Sequence, residues 1–129
     1  MPLVRIEIPE GRNVKEKQQL MQAVYSALVE SLKIPSQDCQ IKICEYAAEN
    51  LLIPRDKITN YIEIGINLFK GRSIEIKRKL YKTIIEKLDE INIETNNVFI
   101  VLHEISLENW GIRGGIPASE VQLGFKVEI

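Results

Sequence analysis

Val4, Ile6 and Ile8 alternate with Leu3, Arg5 and Glu7 at the start of the chain, the period of a strand with one buried face. Pro9-Glu10-Gly11 then reads as a turn. From about Asn13 to Ser31 the period changes to that of a helix, with Leu20, Met21, Val24, Leu28 and Leu32 on one stripe. Asn13 is placed to cap this helix, and Glu16 three residues on makes a weaker form of the capping box. Ile34-Pro35-Ser36 stops it, and Gln40 to Glu45 alternates again as a strand. Residues 46 to 60, with Asn50, Pro54 and Asn60, read as a connector.

The pattern then returns sixty positions on. Ile62, Ile64, Ile66 and Leu68 fall on Pro2, Val4, Ile6 and Ile8, and Gly71-Arg72 falls on Gly11-Arg12. Ser73 caps a second helix whose Leu80, Ile84 and Leu88 match Leu20, Val24 and Leu28. After the loss of one residue, Val98 to Glu104 matches Cys39 to Glu45. This is a duplicated β-α-β unit. Helices of this length serve as crossovers between parallel strands. The expected body is an α/β (α+β) domain with one four-stranded mixed sheet and two helices on one face. Repeat one spans about 2–46, the connector about 47–60, repeat two about 61–104, and a C-terminal hairpin and strand about 105–129. The repeat strands carry apolar residues on both sides, so the second sheet face is expected to be hidden by oligomerisation. The alternating tail Val121, Leu123, Phe125, Val127, Ile129 is expected to add to a neighbour's sheet edge.

Charge narrows the function. The chain has 129 residues, 17 basic and 18 acidic, so no charge excess points to nucleic acid or to an acidic partner. No apolar run reaches the ~18 residues of a membrane span, and no signal peptide opens the chain. Cys39 and Cys44 lie an odd number of residues apart in one strand reading, on opposite faces, and are expected as buried reduced thiols of a cytoplasmic protein. Two Cys and one His without ligand-like spacing argue against a metal site.

Pro2 is the candidate with chemistry. A small residue after the initiator Met favours removal of that Met, which leaves a secondary amine at the tip of a strand. An α-amino group titrates near pH ~8, and burial or a neighbouring cation lowers that value. Such a group suits proton abstraction beside a carbonyl. The alternative is an ordinary chain start.

Together Pro2, the run Glu10-Gly-Arg-Asn-Val-Lys-Glu-Lys17, the strand Val98 to Glu104 and the segment Asn109-Trp-Gly-Ile-Arg-Gly-Gly-Ile-Pro-Ala-Ser-Glu120 resemble 4-oxalocrotonate tautomerase over nearly the whole chain. The chain resembles a fused, two-unit member of the tautomerase superfamily (a MIF-like fold). Its length and its Ile34-Pro35-Ser36-Gln37-Asp38 turn are closest to the malonate semialdehyde decarboxylase-like branch. The resemblance implies a homotrimer with no cofactor, acting on a small carboxylate-bearing substrate. It makes Pro2 the base or acid, Arg72 a carboxylate-binding group and Asp38 a water-positioning carboxylate. Lys70 falls where the decarboxylase has a second arginine, and lysine lacks the planar fork that grips a carboxylate. Cys39 stands where many relatives have an arginine. Trp110 matches an aromatic that walls the pocket, and Arg12 is a further candidate for the substrate. Each has a plainer reading: Arg12 and Arg72 as solvated turn charges, Asp38 as a turn-closing side chain, Trp110 as an interface aromatic. Arg55, in the connector, reads as a surface charge over a group that reaches the pocket, and His103 as a packed or exposed strand residue over a catalytic one. The expected activity is tautomerisation of a 2-oxo acid or its enol. Decarboxylation, or hydration or dehalogenation of a three-carbon acid, is the alternative, and a catalytically silent trimeric scaffold is the reading from another class.

Overall fold

A computed structural model describes all 129 residues. Strand β1, Leu3–Pro9, buries Val4, Ile6 and Ile8 and leaves Arg5 exposed, as the alternation requires. Helix α1, Val14–Leu32, starts from a complete capping box: Asn13 Oδ1 accepts from the Glu16 N–H at 2.8 Å, and Glu16 Oε1 accepts from the Asn13 N–H at 3.0 Å. It ends at Lys33, which takes a left-handed conformation (φ 53°) without a glycine. A single 3₁₀ turn, Ser36–Asp38, leads into β2, Gln40–Tyr46. The connector is not structureless: it holds a 3₁₀ turn at Ala48–Asn50 and the short helix α2, Arg55–Ile58. Then follow β3, Ile62–Phe69, helix α3, Ile74–Glu90, capped by Ser73, and β4, Val98–Ile105. A two-residue hairpin closes the ordered elements, β5 Gly111–Ile112 against β6 Ile116–Pro117.

The sheet order is β2-β1-β3-β4, with β1 parallel to β2, β3 parallel to β4, and β1 antiparallel to β3 at the centre. Val4 faces Ile66 and Ile6 faces Ile64 across that centre. The two β-α-β units are therefore related by a pseudo-twofold axis. Ile62 lies at the opposite end of the sheet from Pro2. The ion pairs obey the same symmetry: Lys17 reaches Glu45 at 3.0 Å, and Lys77 reaches Glu104 at 2.6 Å, each tying a helix's first turn to a strand end. Helices α1 and α3 pack on each other and on one sheet face. There Leu20, Val24, Leu28, Leu80, Ile84 and Leu88 meet the central isoleucines in a single core. Burying one such isoleucine contributes about 1.5–3 kcal/mol relative to leaving it in water.

Three expectations need correction. The outer sheet face is not apolar throughout. Central strands present Arg5, Glu7, Glu63 and Asn67 there, and exposed apolar side chains stand mainly on β4, at Phe99 and Val101. The cysteines are free but half-buried, and Cys39 precedes β2 instead of lying in it. Residues 121–129 form no strand within the protomer, where their alternate side chains find an apolar seat beside Phe69 and Trp110.

Candidate functional site

The Pro2 end of the sheet gathers four of the six candidate residues. Pro2 is buried, and its carbonyl accepts from the Gln40 N–H at 3.1 Å, which continues the β1–β2 ladder by one residue. Met1 precedes it, so the chain amine here belongs to Met1. That amine donates to the backbone oxygen of Asp38 at 2.6 Å. Burial lowers its pKa below the ordinary α-amino value, and the Arg72 charge pushes the same way, while Asp38 and the Cys39 thiol oppose.

Asp38 closes the Ser36–Asp38 turn through its backbone, its N–H donating to the Pro35 oxygen at 3.0 Å. Its carboxylate caps no amide. The Cys39 thiol beside it is pushed up to about 11 by desolvation.

Arg72 enters from the other repeat. β3 ends at Phe69, and Gly71 takes φ 146°, a backbone open to glycine, which turns the chain into α3. Arg72 is only 6% exposed. Its Nη1 donates to the Phe69 oxygen at 3.0 Å, and its Nε has no partner. Burial lowers the guanidinium pKa, and Glu104 pulls it back.

Trp110 follows a 3₁₀ turn at Leu107–Asn109. It is buried, its indole N–H donates to the Ile105 oxygen at 3.2 Å, and its ring meets Phe69 edge-on at 5.0 Å. Met1, Leu3, Leu107, Leu123, Phe125 and Val127 pack around this pair.

The other two candidates lie elsewhere. Lys70 is exposed and lines a shallow depression with Ser106, Glu108 and Glu128. Arg12 stands at the far end of β1, in a depression of about 540 Å³, among Glu10, Glu16 and Glu94. Neither stands beside Pro2 within one protomer, because strand β1 separates Arg12 from it and the Gly71 turn leaves Lys70 outside. Arg55 is exposed on α2. Phe69 and the tail residues were not anticipated as part of this end. The doublet Leu68-Phe69, which breaks the alternation of β3, was the available signal for Phe69.

This end thus joins a desolvated chain terminus, a buried cation with a free donor, and an aromatic wall. Two family models, each described as tautomerase enzyme, match residues 42–113 and residues 2–59. The chain belongs to the tautomerase enzymes, as a member with two fused units. The probable tautomerase YrdN of Bacillus subtilis (strain 168) is 26% identical over 117 residues, which cover 85% of this chain and 89% of that one. Among solved structures, a fused 4-OT, the Q0 wild-type symmetric trimer, superposes with a TM-score of 0.81 at 23% identity, over 91% of this chain and 96% of that chain. The FG41 malonate semialdehyde decarboxylase inhibited by 3-bromopropiolate gives 0.77 at 25% identity, over 89% of this chain and 92% of that chain.

Proposed function

We propose that this protein is a cofactor-independent tautomerase in which Pro2, freed by removal of Met1, serves as general base and acid on a small 2-oxo acid or its enol. The observation that carries the reading is Arg72, a buried guanidinium with an unpartnered Nε at the same sheet end as buried Pro2. A buried cation with a donor to spare is costly unless a ligand satisfies it. A substrate carboxylate supplies both the charge and the acceptor. The neutral amine of Pro2 removes a proton α to the carbonyl, Arg72 steadies the charge that develops on oxygen, and the protonated amine returns the proton to another carbon. Trp110 and Phe69 keep water from the reacting carbon. The matches to fused trimers support a homotrimer, in which Phe99 and Val101 are covered and Arg12 enters a Pro2 site only from another copy. Lys70 is exposed while Arg72 is buried, which favours tautomerisation over decarboxylation or hydration, where a second cation is wanted.

The first test is the intact mass of the natively expressed protein, which should lack Met1; retention of Met1 would favour the scaffold reading. The second is ketonisation of phenylenolpyruvate. Pro2→Ala should lower kcat/KM by about 10²–10⁴-fold, with residual activity from its primary amine. The base works in its neutral form, and burial of Pro2 near the Arg72 cation disfavours its ammonium form, so kcat/KM should rise with pH through the amine's pKa and fall as pH drops through it. Equal rates for Pro2→Ala and wild type would refute the mechanism.

A further inference from the structure

We propose that residues 121–129 form a strap that closes the Pro2 end and must lift before a carboxylate substrate reaches Arg72; this rests on the tautomerase reading above. The segment leaves the Ala118–Glu120 turn and runs without strand pairing, odd-numbered residues half-buried and even-numbered ones exposed. Leu123, Phe125 and Val127 sit on the Phe69–Trp110–Ala118 cluster that also holds Met1 and Leu3. Phe125 lies nearly parallel to Phe69, 6.3 Å away and tilted by 19°, and touches the main core as well. At its end the strap takes a specific donor: the Ser73 N–H gives its hydrogen to the Ile129 oxygen at 3.0 Å. Ser73 follows Arg72 directly and caps α3, so that N–H belongs to the ground where a carboxylate held by Arg72 would seat. Gly71 permits the approach, since a Cβ there would stand 3.0 Å from Val127 Cγ1 and 3.3 Å from the Val127 oxygen.

Its sparse attachment marks this segment as a movable piece. The strap is held by half-buried side chains, the Val121 N–H donating to the Ala118 oxygen at 3.3 Å where it begins, the bond from Ser73 at its end and an exposed 3.4 Å contact from Arg113 to the Gln122 oxygen. A carboxylate that offers Arg72 Nε and Ser73 N–H one acceptor each replaces that bond and competes with the strap.

The test uses the full chain as expressed. Trypsin cleavage after the exposed Lys126 is followed by mass spectrometry with pyruvate, or with uncharged methyl pyruvate, as probe. Pyruvate should speed this cleavage several-fold and methyl pyruvate should not. In parallel, the Phe125→Ala/Val127→Ala variant should lose the pyruvate effect by being open already. A strap closed in nine molecules of ten raises the apparent KM about ten-fold, so this variant should lower the KM for the enol substrate by up to ~10-fold. A raised KM would make the segment a wall of the site and overturn the proposal. Pyruvate that protects Lys126 or leaves it unchanged would do the same, as would cleavage that rises on dilution alone, which places the segment on another copy. A protein without tautomerase activity whose strap still opens to pyruvate would refute the catalytic reading and keep the strap.

Discussion

Replacing Arg72 by methionine should make the unliganded protein more stable while destroying its affinity for carboxylates. Methionine keeps most of the length and fills an irregular apolar space. The arginine buries a charge with one hydrogen bond, to the Phe69 oxygen, and leaves Nε unsatisfied. An unpaired buried donor costs about 1–3 kcal/mol, and the residual desolvation of a buried ion costs several more. Against this stand the charged bond to Phe69, about 1.5–3 kcal/mol, and the attraction of Glu104, which Lys77 already engages at 2.6 Å. The balance favours the variant by about 1–2 kcal/mol, or roughly 3–8 °C in Tm for a domain of this size. Urea and thermal unfolding of both proteins would measure it. Repeating the melts with pyruvate at about 100 times its Kd should add about 2.7 kcal/mol to wild type and nothing to the variant. A variant destabilised by more than about 1 kcal/mol without ligand would refute the reasoning, because the charge would then be compensated within the fold and its burial would be structural.

Further outcomes can be stated briefly. Ile64→Ala, at the fully buried centre of the β1–β3 pairing, should cost about 2–5 kcal/mol in chemical denaturation. Asn13→Ala removes the side-chain arm that caps α1 and should cost about 1 kcal/mol by the same measurement. Cys39, with its thiol pushed up to about 11, stays protonated at pH 8, so iodoacetamide should alkylate it roughly 10² times more slowly than an unperturbed thiol; the rate should climb as pH approaches 11.

The fold was largely legible because its two periods, of strand and of helix, recur at a fixed offset, and a repeated pattern is hard to produce by chance. The caps at Asn13 and Ser73 were legible for the same local reason. The 3₁₀ turns after β2 and β4 were not, since Ala48–Asn50 and Leu107–Asn109 share no residue type that demands a turn except asparagine. The gathering of Pro2, Asp38, Arg72 and Trp110 at one end of the sheet was legible, because they sit at strand ends where the register dictates their place. The twofold also implied that Arg12 lies away from Pro2 within one protomer: an antiparallel pair of repeats sends the two Gly-Arg turns to opposite ends. The tail was misjudged because alternation of Val121, Leu123, Phe125, Val127 and Ile129 is equally suited to a sheet edge and to lying on a ready-made apolar seat. Only the positions of Phe69 and Trp110 decide between them.

The twofold also divides labour between the repeats. The amine comes from the first unit and the guanidinium from the second, so neither unit alone brings both to one end of the sheet. Joining two such units in one chain turns the second unit's start into an internal peptide, and the residue there, Ile62, has an amide nitrogen without basicity. Fusion therefore leaves one chain terminus where two separate units would have two, by its covalent structure alone, before any substitution. On the proposed mechanism the emptied end is released from the demands of catalysis, and its buried position can be given to an isoleucine that serves the core.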